Sequence, residues 1–181
     1  MAKLTLINGK LRVVWGSSES GSIVEADWLS PSNEYEGCCC NDCTVLKITY
    51  DWSESSSRDL DTGTTFLGTK VGWSCGDGST VAYILWSGDN TSASASEYVL
   101  IYFKAALDAE RWSGSVEIDL AAGWYIPAGG SGPAKVIVEC YDVPNEDTKK
   151  TKTINPGAQS NCASTNVGKV TINEDGTFEL E

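Results

Sequence analysis

The chain consists of short apolar runs separated by turn residues, and this spacing most limits the folds open to it. Strand-like runs occupy residues 45–52, 64–73, 80–86, 98–105, 115–120 and 135–141. No window shows the 3.6-residue spacing of an amphipathic helix, and residues 105–112 have room for one helical turn at most. Short strands with turn signals between them predict an all-β fold, an antiparallel sandwich of jelly-roll-like or Greek-key type.

Both ends of the chain predict β-hairpins. Near the start, two apolar runs flank Asn8-Gly9, a pair that suits a type I′ turn because both residues tolerate positive φ. Near the end, Asp175-Gly176 is the predicted hairpin turn between the runs GKVTIN and FELE. Within the run 64–73, Gly68 predicts a β-bulge. Terminal strands of this kind can complete the domain's own sheet or pair with the sheet edge of a neighbour.

The predicted organisation is a single domain, since 181 residues without a low-complexity linker suggest one. Its expected parts are an N-terminal hairpin over 1–15, a long Cys-containing loop over 16–44, a core sandwich over 45–141, and an extension with a hairpin over 142–181.

Composition and charge argue against several function classes. The net charge is −12, so no basic stripe is available for the phosphate backbone of a nucleic acid. No apolar run approaches membrane-spanning length, and the N-terminus lacks the pattern of a signal peptide. The chain contains no histidine, which excludes Ser-His-Asp and Cys-His catalysis. We therefore expect a non-enzymatic protein, although a glycosidase that uses a carboxylate pair stays open.

Oxygen-bearing side chains collect around the ends of the predicted strands. Asp59 and Asp61 follow one apolar run, Asp89 and Asn90 follow another, and Glu97 precedes a third. Such hard oxygen donors on one rim of a β-structure suit Ca²⁺, which accepts varied geometries. The alternative is that Asp, Asn, Ser and Gly are simply turn residues. The sequence thus predicts these five residues as ligands of one Ca²⁺ site.

The same stretch resembles the tellurium-resistance stress proteins, the TerD-like β-sandwiches. The resemblance covers about residues 48–138 and depends on Trp52, Asp59-Leu60-Asp61, Gly88-Asp89-Asn90-Thr91 and Glu97. It implies a calcium-binding, non-catalytic sandwich. The chain departs from the family where Ser92-Ala93-Ser94-Ala95-Ser96 replaces a Gly-rich, doubly acidic stretch, which removes carboxylates from the implied site.

Seven cysteines are present, and an odd number leaves one without an intrachain partner. Disulfides are the favoured interpretation, and they require an oxidising compartment. The sequence Cys40-x-x-Cys43 is half of a zinc motif, but a second half is missing and zinc is not favoured. The alternative is that Cys75 and Cys140 are small buried residues. The candidates for disulfides are Cys38, Cys39, Cys40, Cys43, Cys75, Cys140 and Cys162.

Aromatic residues in loops and at strand ends are candidate contacts for a partner protein or a glycan. The residues are Trp28, Tyr35, Trp112, Trp124 and Tyr125. Exposed aromatic rings beside Asp and Asn can stack on sugars, as in lectin-like sandwiches. The alternative is that these rings cap the core, because most Trp is largely buried.

Together these features predict a structural or interaction module that assembles with other protein subunits or with copies of itself, without nucleic acid or membrane. A virion is the expected setting, as a phage capsid decoration or tail component made without a signal peptide and released by lysis. Two alternatives remain: a cytoplasmic TerD-like calcium-binding stress protein, and a carbohydrate-binding module.

Overall fold

The computed structural model describes residues 2–7, 10–15, 43–78, 82–160 and 165–181. The chain divides into two units, Met1–Cys39 and Cys40–Glu181. In the first unit, β1 (Ala2–Ile7) pairs antiparallel with β2 (Lys10–Trp15), which confirms the N-terminal hairpin. The predicted turn Asn8-Gly9 and most of the predicted Cys-containing loop lie outside the described residues.

As the pattern of short apolar runs predicts, the second unit is an antiparallel sandwich, and its described residues also form one short α-helix and one 3-10 helix, Ile126–Ala128. Its elements are β3 (Leu46–Asp51), β4 (Leu60–Phe66), β5 (Thr69–Gly72), β6 (Ile84–Trp86), β7 (Ser96–Ile101), α1 (Phe103–Asp108), β8 (Ser115–Trp124), β9 (Ala134–Cys140), β10 (Lys150–Ile154), β11 (Gly157–Ala158), β12 (Thr165–Asn173) and β13 (Phe178–Leu180).

Two sheets share these strands. The five-stranded sheet has the order β10-β9-β3-β7-β6, and the six-stranded sheet has the order β13-β12-β8-β4-β5. The remaining strand, β11, pairs in parallel with the end of β8, so that Gly157 lies opposite Gly123. All other strand pairs in the two sheets are antiparallel.

The core lies between the sheets and follows the two-residue alternation of strands. In β3 and β9 every second residue is buried, as in Ile48 and Val136, and the intervening residues are partly exposed. Trp52 and Trp124 are among the largest fully enclosed side chains. The Tyr50 hydroxyl donates to the carbonyl of Gly63 at 3.1 Å, which connects the two sheets by a hydrogen bond.

The single strand predicted over 64–73 is instead a hairpin. Leu67 and Gly68 both have positive φ, 49° and 78°, and they form a two-residue turn between β4 and β5. Positive φ at both central residues is the geometry of type I′ turns, whose twist matches that of paired strands. The predicted bulge at Gly68 is therefore wrong. The C-terminal prediction is confirmed, since β12 and β13 pair around Asp175-Gly176.

Other boundaries also differ from the predictions. The helical turn α1 begins at Phe103, ahead of the predicted 105–112, and β8 continues to Trp124, beyond the predicted end at Leu120. The strand β10 was not predicted, because its sequence, KTKTI, contains one apolar residue. Among the described residues, no helix is long and apolar enough to cross a membrane.

Candidate metal centre

Three carboxylates meet at one end of the sandwich. Asp59, Asp61 and Asp89 each offer an oxygen, and these oxygens lie within 4.8 Å of one another. We call these three residues the acidic trio. Asp59 immediately precedes β4 and Asp61 is its second residue, whereas Asp89 lies in the loop between β6 and β7. The side chains of the trio therefore come from the six-stranded sheet and from a loop of the five-stranded sheet.

Asp61 is nearly enclosed, with 2% of its surface exposed. Burial raises the pKa of this carboxyl to about 6, the charge of Asp59 adds to the rise, and a hydrogen bond with Gln159 acts against it. Within the described part of the chain, its Oδ2 atom has no hydrogen-bond partner. Leaving a buried polar atom without a partner costs about 1–3 kcal/mol, and more where the group is charged. A water molecule or a cation would satisfy this oxygen.

Asp59 is held in an uncommon backbone conformation, with φ at 65°. Asp tolerates this left-handed region better than most residues do. Its carbonyl accepts a 3.0 Å hydrogen bond from the N–H of Tyr125, which fixes the chain just before β4. Burial raises the pKa of Asp59 and the charge of Asp89 adds to the rise, while Arg58 acts in the opposite direction. Backbone strain of this kind often accompanies functional sites.

Glu97 lies beside the trio but does not share its oxygen cluster. It is 1% exposed, and its carboxylate accepts hydrogen bonds from the Thr62 hydroxyl at 2.6 Å and from the Trp86 indole N–H at 3.2 Å. Thr62 follows Asp61 in β4, and adjacent strand residues face opposite sides of a sheet. Glu97 therefore lies on the core side of β4, whereas Asp61 faces the other side.

The interactions of Glu97 and Asn90 shape the loop that carries Asp89. The other oxygen of Glu97 accepts the backbone N–H of Asn90 at 2.8 Å. The Asn90 side chain accepts from the N–H of Ser92 and donates to the carbonyl of Ser96, which is the hydrogen bonding of a turn residue. Burial raises the pKa of Glu97 to about 7, although its three hydrogen bonds act to lower it. Both residues thus hold the loop in place, and their predicted role as ligands stays a prediction.

The aromatic candidates occupy different environments. Trp124 is a core residue at 2% exposure, and its indole N–H donates to the carbonyl of Gly132 at 2.8 Å. Trp112 is partly buried against the core. Tyr125 is exposed at 38%, beside Asp59. Of the proposed contact residues with described side chains, Tyr125 therefore offers an accessible ring, whereas Trp124 does not. Trp28 and Tyr35 lie outside the described residues.

A disulfide connects Cys43 and Cys140, whose Cα atoms are 5.6 Å apart, and Cys75 is disulfide-bonded as well. Beside the first bond, the Asp142 carboxylate accepts the N–H groups of Thr44 and Val45. Burial acts to raise the pKa of Asp142, but a hydrogen bond from the Thr44 hydroxyl and those from the two backbone N–H groups keep it below its usual value. Because Cys43 is oxidised, it offers no thiolate to the half zinc motif. Cys38, Cys39, Cys40 and Cys162 lie outside the described residues.

Several contacts around the trio were not predicted from sequence. Thr62 and Trp86 position Glu97, and Gln159 reaches Asp61 from a segment almost one hundred residues away along the chain. The Trp52 indole N–H donates to the carbonyl of Ser92 at 3.0 Å and so supports the same loop. Thr62 follows from strand alternation once β4 is known, but no local signal marks Gln159.

No protein-family model, no curated protein and no solved structure matches this chain. The resemblance to the TerD-like family therefore stays a prediction.

Proposed function

We propose that this protein is a Ca²⁺-binding β-sandwich that serves as a structural or interaction module and not as an enzyme. The proposal depends on one observation: three carboxylates converge, and one of them, Asp61, has a buried oxygen without a partner in the described chain. Asp61 lies in β4 of the six-stranded sheet, with Asp59 just before that strand, and Asp89 lies in a loop of the five-stranded sheet. A bound ion would therefore link the two sheets at this rim and stiffen it.

The chemistry of the trio favours Ca²⁺ over other metals. All of its donors are carboxylate oxygens, whereas structural zinc sites use mainly Cys and His. Mg²⁺ demands near-octahedral geometry and gives up water reluctantly, while Ca²⁺ accepts about six to eight oxygens in flexible arrangements. Asp89 is exposed, so water can complete the coordination from the solvent side.

Electrostatics supports the same conclusion. Burial is the main cause of the raised pKa of Asp61 and of Glu97; the charges of Asp59 and Asp89 add to it for Asp61, and that of Asp89 adds to it for Glu97. Mutual repulsion between close carboxylates disfavours their ionised forms. A divalent cation would remove this repulsion.

Calorimetry on the full chain tests the metal site. After treatment with EDTA and desalting, the wild type is expected to bind one Ca²⁺ and to bind Mg²⁺ more weakly. Asp61→Asn and Asp89→Asn should each weaken Ca²⁺ binding by about tenfold or more, equivalent to about 1.4 kcal/mol. The matched control is Asp119→Asn, an exposed residue of β8, which should leave the affinity unchanged. A wild type that takes up no Ca²⁺ at millimolar concentration contradicts the proposal.

The module is further proposed to work inside an assembly, with a virion as the expected setting. In the part of the chain that the structure describes, the sheet of β1 and β2 contains no third strand. A two-stranded hairpin is at best marginally stable in water, and pairing with a partner's strand would complete it. The disulfide-bonded Cys43, Cys75 and Cys140 favour an oxidising location over the cytoplasmic alternative.

Native mass measurements over a range of concentrations test the assembly. The wild type is expected to form multimers. Thr5→Pro removes a backbone donor in β1 and should shift the protein toward the monomer, whereas Thr5→Val keeps the strand and should not. If the wild type and Thr5→Pro are equally stable monomers, pairing through this hairpin is ruled out.

A further inference from the structure

An exposed apolar surface adjoins the acidic trio. Tyr125 and Ile126 follow the buried end of β8 and are 38% and 56% exposed. A short 3-10 helix, Ile126–Ala128, holds this segment, with the Ala128 N–H donating to the Tyr125 carbonyl at 3.0 Å. Two large apolar residues are thus presented to solvent on a hydrogen-bonded turn. We call Tyr125 and Ile126 the apolar shelf.

The shelf is directly connected to the trio. In the ladder between β4 and β8, Leu60 lies opposite Trp124, so the next position along places Tyr125 opposite Asp59. The hydrogen bond from the Tyr125 N–H to the Asp59 carbonyl, at 3.0 Å, confirms this neighbourhood. Both residues lie just beyond the paired strands, so this backbone hydrogen bond is what places them side by side. The accessible aromatic ring therefore belongs to the same small area as the proposed ion.

The glycine-rich loop that follows the 3-10 helix packs against this area. A Cβ atom at Gly130 would lie 2.8 Å from the Arg58 carbonyl and 2.8 Å from the Trp124 ring, so the loop packs closely against the segment that leads to Asp59. The Ser57 hydroxyl donates to the Ser131 carbonyl and accepts the N–H of the same residue, which adds to the attachment. These contacts hold the surface in place without a ligand, which lowers the entropic cost of binding.

The charge of the site favours a neutral ligand. Three carboxylates and one divalent ion leave a net negative charge, and the whole chain carries −12. An anionic group would meet repulsion from both. Hydroxyl oxygens are neutral and can replace the water molecules on the solvent side of Ca²⁺, where Asp89 is exposed. Beside them, an aromatic ring can pack against the apolar face of a sugar.

We propose that the trio and the shelf form a glycan-binding site, in which vicinal sugar hydroxyls coordinate the Ca²⁺ and Tyr125 packs against the sugar ring. This inference depends on the proposed Ca²⁺ site and adds its ligand class. It requires no covalent step.

Affinity electrophoresis of the full chain tests the inference, with mannan, xylan, dextran or laminarin in the gel and with either CaCl₂ or EDTA. At least one polysaccharide should retard the wild type in CaCl₂ and not in EDTA. For Tyr125→Ala, the dissociation constant for that polysaccharide, obtained from the retardation, should rise by about tenfold. Calorimetry should show that the Ca²⁺ affinity of this variant is unchanged. The matched control is Tyr141→Ala, since Tyr141 is 52% exposed but lies beyond Cys140, at the opposite end of the sandwich. This control should behave as the wild type does.

The possible results separate the two proposals. Ca²⁺ binding without retardation by any of the four polysaccharides overturns the glycan site and leaves the metal site intact. Retardation that persists in EDTA, or that Tyr125→Ala does not weaken, also overturns it. Absence of Ca²⁺ binding in calorimetry overturns both. If calorimetry shows that succinate binds the Ca²⁺-loaded protein while the polysaccharides do not bind, the ligand is a carboxylate and the glycan inference is wrong.

Discussion

Asp61 and Glu97 are two buried carboxylates with different surroundings. Glu97 accepts hydrogen bonds from Thr62, Trp86 and Asn90, and these replace the water that it lost on burial. Asp61 retains an oxygen with no partner among the described residues. We infer that Glu97 anchors the loop that carries Asp89, while the Oδ2 atom of Asp61 is available to coordinate an ion.

Stability without metal should fall as the pH rises from about 5 to 8. The pKa of Asp61 is raised to about 6 and that of Glu97 to about 7, so the folded state binds more protons than the unfolded chain over this range. The stabilisation is complete below the ordinary carboxyl pKa, near 4, and is lost as the pH passes through the raised values. Urea unfolding in EDTA at several pH values measures the change, and saturating Ca²⁺ should flatten it.

Substitution of Glu97 identifies its share of this pH dependence. Glu97→Gln removes the titration but places an amide N–H₂ group among donors, so we expect a loss of about 1–3 kcal/mol at pH 5 and a shallower fall toward pH 8. The control is Glu117→Gln, at an exposed position of β8 where Glu117 pairs with Lys169 on the surface. It should change neither the stability at pH 5 nor the steepness of the fall toward pH 8. A pH dependence that Glu97→Gln leaves as steep as in the wild type contradicts this assignment.

Strand contacts determine where Gln159 meets Asp61. A Cβ atom at Gly123 would lie 2.5 Å from the Cα atom of Gln159, so β8 and the segment after β11 touch backbone to backbone. The Gln159 N–H also donates to the Trp124 carbonyl at 2.8 Å. We expect Gly123→Ala to push this segment away, to lower the free energy of unfolding by about 1–3 kcal/mol, and to weaken Ca²⁺ binding through the loss of Gln159.

Gly63→Ala is the matched control, because Gly63 lies in the neighbouring strand, opposite Ala121. There a new Cβ atom would be 3.7 Å from that of Ala121, an ordinary contact. Urea unfolding and calorimetry on both variants give the comparison. Equal effects of the two substitutions would show that the close approach at Gly123 has no special role.

The elements show which features local sequence can reveal. Alternation in β3 and β9 marks the sandwich, because burial on one face demands it. The sequence of β4, LDTGTTF, is mostly polar and does not show the alternation of a strand. Tertiary contacts nevertheless bury Asp61 and Thr62 in it. Sequence alone grouped Glu97 with the trio, although its alternation with Val99 and Ile101 already indicates the core side. Nothing local marks Gln159, because its position depends on the parallel pairing of β11.

At the scale of the whole second unit, the Cys43–Cys140 disulfide closes a loop with a sequence separation of 97. Closing a loop of this length restricts the unfolded chain and stabilises the fold by up to about 4.7 kcal/mol in the chain-entropy model. The double substitution Cys43→Ser and Cys140→Ser should therefore lower the urea midpoint substantially. The Asp142 hydrogen bonds to Thr44 and Val45 remain, so the variant should still fold. An unchanged midpoint would show that the disulfide adds nothing to stability.

The proposed ion would act on both sheets together, and this separates it from a cation that adheres to an acidic loop. At a concentration one hundred times its dissociation constant, Ca²⁺ would stabilise the folded state by about 2.7 kcal/mol. Because Asp61 lies in β4 and Asp89 in the loop that leads to β7, Ca²⁺ should slow hydrogen exchange in β4 and β7 at once. Asp61→Asn should abolish both effects, and Asp119→Asn should abolish neither. Protection confined to the loop of Asp89 would mean that the ion does not connect the sheets.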